Sequence, residues 1–397
     1  MKKKKILLLG GSFAQLPAIK MAKKMGLHTI LCDYLPDNPG QNFSDEYINA
    51  STTDKEHILE IAKEKQIDYV LAYASDPAAL TAAYVSEELG LPGNSYQSVK
   101  TLSEKHLFRE LLRDIGLNCP KVKSITGDEI DNISELEMEY PLVVKPVDSS
   151  GSKGVKLIRA ITEFKEAASY ALSFSRKNRI IIEEYIAAKG AQLHGDGFVV
   201  DDELIFSCLG DHHYDATINP FVPYSTTWPA NISEDILDRI NRDLNFLIKR
   251  SGFKTGAINI EVRVTNEDEI FIMEIGPRSG GNFTPQVIEY ATGFNMVEAA
   301  LRAAIGEKIE IGKLFRKFSS YYVLHSGKNG TLKKIAIDPK IYSYIKEKHQ
   351  YTEVGEEVTS FQGANAAIGI LLMVFPTKEE MEDVMCDIEQ HIKIEVE

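Results

Sequence analysis

The chain has 397 residues, more than one ordinary domain holds and in keeping with two or three. Hydrophobic residues make up 44% and charged residues 26%, the mix of a soluble globular protein whose core needs no covalent staples. The net charge of −13 argues against a surface built to grip nucleic acid; four scattered cysteines, Cys32, Cys119, Cys208 and Cys386, argue against a disulfide framework and a cysteine zinc site.

In chain order, the start MKKKKILLLGGS has a basic head, but its apolar run, Ile6–Leu9, is shorter than the ~7–15 residues of a signal core. Ile368–Phe375 is far below the ~20 residues of a membrane span. The expectation is a reduced, soluble, cytoplasmic protein with no membrane partner. Strands over Lys5–Leu9, His28–Cys32 and Tyr69–Ala72 alternate with helices over Ala14–Met25, His57–Lys65 and Pro77–Leu89, which predicts a parallel sheet. A new unit opens near Ser98–Lys105 with a helix over Ser103–Asp114. Strands Leu142–Lys145 and Val155–Ile158 then flank a glycine-rich turn. Helix Ile161–Phe174 and strand Arg179–Glu183 follow. Residues 192–275 read mostly as strands around one long helix, Ser233–Ser251, and Phe283–Gly306 as a helix broken near Gly293. The tail offers strands Ser319–Leu324 and Ala367–Phe375 and a helix Lys378–Ile392.

Two glycine turns carry chemistry. Gly10-Gly11-Ser12 follows the first strand, and Asp33 ends the second, as in a dinucleotide site. Ser12 and Gln15 break the G-x-G-x-x-G spacing, so a small carboxylate or phosphate at the helix start is preferred over NAD, with a plain tight turn as the bland reading. The second turn, Lys145-Pro-Val-Asp148-Ser-Ser-Gly151-Ser-Lys153-Gly154, places a lysine at a strand end before a loop of small residues. Such backbone N–H groups can wrap phosphate oxygens, or the stretch is an exposed hairpin.

Residues 257–264 (AINIEVRV) alternate, with Asn259, Glu261 and Arg263 on one face. Residues 270–276 (IFIMEIG) form a second strand. A two-residue loop at Glu267-Asp268 makes 266 face 269, Glu261 face Glu274 and Asn259 face Gly276. Two glutamates ~5 Å apart repel unless a cation sits between them, and Mg²⁺ bearing ATP phosphates suits them better than a solvated hairpin does. Arg278, in the loop Gly276–Phe283, stands where it can hold a phosphoryl or acyl-phosphate group, or is a surface arginine in a turn.

The order Lys105, Lys145 with its glycine loop, Ile181–Ile186, Glu261, Glu274, Arg278 resembles the ATP-grasp superfamily over roughly residues 5–310. The stretches GAINIEVR and MEIGPRSGGNFTPQVIEYATG look most like its carboxylate–amine and L-amino-acid ligase branch. The resemblance implies an α/β (α+β) fold in the three-domain arrangement of biotin carboxylase: a Rossmann-like domain (1–100), an ATP-grasp core of a small subdomain (101–190) and a large one (191–310), and a C-terminal α+β unit (311–397). It implies that Lys105 and Lys145 contact ATP phosphates beneath Ser149, Ser150, Gly151, Ser152 and Gly154. Glu183, Glu184, Tyr185 and Ile186 would form the hinge holding adenine, with main-chain groups of Glu184 and Ile186 reading its edge. Glu261 and Glu274 would bind one or two Mg²⁺ ions, with Mn²⁺ as a substitute. Arg278 and Lys145 would be the catalytic cations. Gly276 replaces a common metal-binding Asn, which Asn259 or Asn282 would have to supply, and Gln192 replaces an acid facing the ribose.

For the substrate, His212, His213, Tyr224, Arg263 and Asn282 are the candidate contacts, with Asp215 beside the histidines. Adjacent histidines point apart on a strand, which disfavours zinc. The reading is an ATP-dependent ligase joining a small carboxylate and an amine through an acyl phosphate, with a homodimer allowed. The alternatives are a carboxylase, formate-dependent transferase or phosphotransferase on the same fold, and a nucleotide-binding module without catalysis.

Overall fold

The structure, a computed structural model, describes residues 3–215 and 217–397. Its first unit is a four-stranded parallel sheet in the order Glu46–Asn49, His28–Asp33, Lys5–Leu9, Tyr69–Leu71. Ile6 to Leu9 are buried throughout, as in a central parallel strand covered on both faces. Glu46–Asn49 was not anticipated; its sequence, EYIN, is only half-buried at the sheet edge. Helices Leu16–Lys24, Lys55–Lys65 and Asp76–Leu89 cover the sheet, and the last ends at Gly90, whose φ of 62° suits glycine.

The first glycine turn binds itself. Gly11 N–H donates to Asp33 at 2.7 Å and Ser12 N–H to Gln15 at 2.8 Å. These N–H groups, expected to meet a small carboxylate or phosphate, are spent internally, and Asp33 serves the turn rather than a ribose. A Cβ on Gly11 would lie 2.1 Å from Asn38 Oδ1, so the close approach of chain to chain requires this glycine.

The second unit is an antiparallel sheet of Val122–Thr126, Arg179–Glu184, Leu142–Pro146 and Lys156–Ile158, in that order, with helix Phe164–Leu172 packed on it. The helix expected over Ser103–Asp114 forms as Lys105–Asp114; an unanticipated helix, Tyr96–Ser103, precedes it, with Glu104 extended between them. The break makes Lys105 the first residue of a helix.

The third unit is an eight-stranded antiparallel sheet. Its order is Ile270–Gly276, Gly256–Val264, Leu193–Val200, Glu203–Asp215, Asn219–Trp228, Phe318–Leu324, Gly369–Phe375, Ile345–Gln350. Helix Glu234–Ser251 packs Ile240, Leu244 and Ile248 in one core with Ile258, Ile260 and Val262; helices Thr284–Thr292 and Met296–Ala304 close a second core with Phe198, Phe206 and Trp228. The sheet does not stop near residue 310: three of its strands come from the tail. A small sheet of Glu357–Val358, Gly330–Ile337 and Ile392–Val396 completes the chain. The expected helix over Lys378–Ile392 is interrupted after Cys386 and ends in strand Ile392–Val396. Among the described residues no helix is long and apolar enough to cross a membrane.

Candidate active site

Strands Gly256–Val264 and Ile270–Gly276 bring Glu261 opposite Glu274 and Asn259 opposite Gly276, the expected pairs. The expected turn does not form. Val264 pairs with Ile270, and Thr265–Glu269 makes the turn, closed by Thr265 N–H to Glu269 O (2.9 Å) and Asp268 N–H to Thr265 O (3.0 Å). Residues 266 and 269 therefore do not pair, and the strands run one residue out of the predicted register. A bulge at Met273 restores it, because Val262 pairs with Ile272 and Glu261 with Glu274. Without that extra residue, Glu274 would turn toward the core face beside Ile260.

Cations surround the pair. Lys105 Nζ lies 3.0 Å from Glu274 and donates to Ser149 O at 3.1 Å. Lys145 Nζ lies 2.6 Å from Glu183, and Arg109 Nε donates to the other Glu183 oxygen at 2.7 Å. Arg109 and Glu183 are each 1% exposed. Glu183 therefore sits in a buried ion cluster behind the hinge, and its side chain faces cations. Burial would raise its carboxyl, but Arg109 and Lys145 hold it down to about 2. At Glu261 burial and then the charge of Glu274 push the carboxyl up. At Glu274 burial is outweighed by Lys105 and Lys145, and the carboxyl stays low. The pair splits one charge.

Two facing carboxylates, one raised by the other's charge, are an oxygen donor set that fits a hard divalent cation. Among the described residues no group of three or more His, Cys, Asp or Glu is placed to hold a metal, so a cation here would have two carboxylates and would need other oxygens from elsewhere, as suits Mg²⁺. Asn259 Nδ2 is turned to His194 Nε2 (2.9 Å), Gly195 O (3.0 Å) and Asp196 Oδ1 (2.8 Å); Asn282 lines the cleft.

Arg278 makes a two-pronged pair with Asp76, at 2.7 and 2.6 Å, and donates to Ser279 O at 3.0 Å. Asp76 opens the helix after the fourth strand of the parallel sheet, Tyr69–Leu71, so the first unit contributes the partner of a cleft arginine. The pair also explains Gly276: a Cβ there would stand 2.9 Å from Asp76 Oδ1 and 3.1 Å from Arg278 Cζ. Behind it, Asp196 accepts Gly280 N–H at 2.8 Å, and burial raises its carboxyl to about 6.

His212 lines the cleft, stacked on His194 with centroids 4.1 Å apart and bonded to Thr226 at 2.6 Å. Burial holds both rings neutral, His194 down to about 3. His213 faces the other way, on Thr227 at 2.9 Å, and Tyr224 packs against Tyr322 and His325; neither lines the cleft. Gln192, expected at the ribose, donates to Glu261 (2.9 Å) and accepts from Arg263 Nε (2.8 Å). Arg263 also donates to Ile186 O (2.6 Å) and lies over the Tyr185 ring. Glu184 N–H donates to Lys121 O and Tyr185 N–H to Pro141 O, each at 3.1 Å.

The cleft encloses about 270 Å³ between the two antiparallel sheets. Ser149, Ser150, Gly151, Ser152 and Lys153 line it; Gly154 packs behind, where a Cβ would meet Phe174 at 3.0 Å and Pro146 at 3.1 Å. Ser152 Oγ ties the loop to Phe221 O at 2.6 Å. Arg109, Asp76, Asp196 and His194 were missed from the sequence. Two carried a signal: Arg109 is one helical turn after Lys105, and Asp76 starts a helix at the carboxyl end of a parallel strand, where ligands of such sheets gather.

Comparison with known proteins falls on the same segment. Residues 138–286 match the family model described as ATP-grasp domain. The chain is 24% identical over 323 residues to the carbamoyl phosphate synthase large chain of Clostridium botulinum, covering 78% of this chain and 30% of that one. It is 26% identical over 318 residues to an uncharacterized protein of Sinorhizobium fredii, covering 79% and 65%. The chain thus spans under a third of the carbamoyl phosphate synthase chains it matches. Among solved structures, the L-amino acid ligase from Bacillus licheniformis superposes with a TM-score of 0.85 at 20% identity over all of both chains. The phosphoribosylglycinamide synthetase from Anaerococcus prevotii does so at 0.77 and 21%, also over all of both. At these identities the likeness is one of fold. Residues 138–286 thus carry an ATP-grasp domain, and the chain as a whole shares the fold of the solved ligases and synthetases it superposes on.

Proposed function

We propose that this chain is an ATP-dependent carboxylate–amine ligase that works through an acyl phosphate. The observation that carries the reading is the Glu261–Glu274 pair, two facing carboxylates of which Glu261 is raised by burial and its neighbour's charge, ringed by Lys105, Lys145 and Arg278. Glu261 and Glu274 would hold Mg²⁺, which neutralises the β- and γ-phosphates of ATP. Lys105 and Lys145 would contact those phosphates as the loop Ser149–Gly154 settles over them. Because Glu184 N–H and Ile186 C=O are already bonded, the adenine edge would be read by the Glu184 carbonyl and the Ile186 N–H.

The carboxylate oxygen of the acceptor attacks the γ-phosphorus and ADP leaves with the bridging oxygen. The nitrogen of a neutral amine then attacks the acyl carbon, phosphate departs, and the amine loses a proton. Arg278 would meet the charge that develops on the acyl phosphate and on the tetrahedral oxygen, with Asp76 orienting its guanidinium through their two-pronged pair. Positioning and charge neutralisation carry this chemistry.

Inorganic phosphate and ADP release should require ATP, Mg²⁺, an acid and an amine together, with an amide as product. Phosphate trapped on an acceptor with no amide would favour the phosphotransferase reading, and ATP binding with no turnover across all acids would favour a binding module. The substrates in this reading are small molecules, and a homodimer, checked by light scattering, is the assembly proposed.

A further inference from the structure

Part of the cleft lining has a different character. Its walls are Pro220, Val222 and Pro223 from one strand and its approach, and Tyr321, Val323 and Phe361 from the tail. Val222, Val323 and Phe361 are at most 3% exposed, so the wall is packed in place. The tail segment is pinned as well: Phe361 N–H donates to Ser326 O at 2.9 Å, Gln362 Nε2 to Ile218 O at 3.1 Å, and the Phe361 ring lies 4.7 Å from His325. Tyr321 packs on Trp228, and the floor is the stacked, neutral pair His194 and His212.

The cleft's cations are committed elsewhere. Lys105 is paired with Glu274, Lys145 with Glu183, Arg263 with Gln192 and Ile186, and Arg278 with Asp76. The remaining lining cation, Lys153, is on the loop assigned to the triphosphate. A charged group buried against this wall would lose its water and find no counter-charge, which is costly; an apolar group gains by the same burial.

We propose that this lining holds the non-reacting part of the carboxylate substrate, and that this part is uncharged and apolar: the substrate is a small carboxylic acid bearing a branched aliphatic or aromatic group. The inference rests on the ligase reading. It gives the tail residues a role, as the wall that sets which acid is activated, and it disfavours a sugar-phosphate acceptor, whose phosphate would need cations of its own.

The test is phosphate and ADP release by the full chain with ATP and Mg²⁺, using ammonium as the common amine. 4-Methylpentanoate and 3-phenylpropanoate are compared with succinate, 6-aminohexanoate and 3-phosphoglycerate. Apolar acids should have kcat/KM at least tenfold higher, in line with the roughly 10–200-fold that one methylene commands in an apolar pocket. Val323→Asp should erase that preference while KM for ATP stays put, and Phe361→Ala should move the optimum to a bulkier acid. Turnover faster with the charged acids, or a preference unchanged in both variants, overturns the inference and leaves the ligase reading standing. If no acid of either kind drives ADP release or amide formation, the ligase reading fails and takes this one with it. The wild-type panel alone decides the matter should a variant not fold.

Discussion

Two carboxylates of one cleft meet opposite fates. Glu183 sits between Arg109 and Lys145, which answer its charge and hold its carboxyl down to about 2. Glu261 sits opposite another glutamate, and burial with that like charge drives its carboxyl up. The first has its charge answered by protein groups; the second faces a like charge that a bound cation would answer. The residue type is the same, but Glu183 is fully buried among cations while Glu261 is half-buried in the cleft opposite a like charge, so partners and access together separate the two.

The comparison breaks most sharply on substitution. Glu261→Gln should lower kcat by on the order of 10³, since a metal-stabilised transition state is worth several kcal/mol. Its melting temperature should not fall, because a like-charge contact is relieved. Glu183→Gln should do the reverse to the fold, costing about 3–5 kcal/mol in denaturant unfolding, because Arg109 and Lys145 are left buried without their counter-charge. If Glu261→Gln destabilises the chain as much as Glu183→Gln does, the distinction between the two sites is wrong.

Arg278→Ala comes next, with kcat falling about 10²–10³-fold, the scale of one lost oxyanion donor. Asp76→Asn keeps a neutral partner for the guanidinium and should cost nearer tenfold, with KM for ATP unchanged. Equal losses in the two variants would mean that Asp76 does more than orient Arg278.

The pH dependence of stability is a smaller effect with a definite sign. Glu261 has a folded value raised above its unfolded one, so the native state binds its proton more tightly. Its contribution is present below the ordinary carboxylate value of 4.5 and is lost as pH rises toward neutrality. His194, lowered from 6.5 to about 3, works oppositely: its contribution is present above 6.5 and is lost as pH falls toward 3. Subtracting the Glu261→Gln curve from the wild-type curve cancels the histidine. The difference should slope downward from pH 4.5 to neutrality without Mg²⁺, and saturating Mg²⁺ should reverse the slope, since the ion binds the charged form.

Much of the cleft was legible because its strands have period two. Alternation in AINIEVRV put Glu261 and Asn259 on one face, and the pairing of Glu261 with Glu274 followed. The pairing came out right although the turn did not: a five-residue turn and the Met273 bulge each shift the register by one and cancel. A bulge has no side-chain signature in IFIMEIG, so only the structure shows it. Arg109 and Asp76 were hidden for a different reason. Each is far in sequence from its carboxylate or guanidinium partner, 74 residues for Arg109 and Glu183 and 202 for Asp76 and Arg278, and such pairings follow from topology, not local pattern. Tyr224 and His213 failed as cleft residues because a strand in a sheet covered on both sides has two populated faces, and polarity alone does not say which one is the cleft.

That last point yields the mildest prediction. Tyr224 packs beside Tyr322 and His325, with ring centroids 5.9 Å away in each case, on the far side of the strand from the cleft. Tyr321, on the tail strand, is in the cleft wall. Tyr224→Phe keeps the ring contacts and removes only the hydroxyl, so kcat/KM should stay within twofold and stability within about 0.5 kcal/mol, the range of substitutions that disturb no core or network. Tyr321→Phe removes a hydroxyl that feels the Glu261 charge and bonds Thr226 and Asn282. It should raise KM for the acid several-fold in a calorimetric or phosphate-release titration while Tyr224→Phe leaves it unmoved. A larger effect from Tyr224 would reverse which face of this strand serves the substrate, and with it the wall from which the apolar acid was inferred.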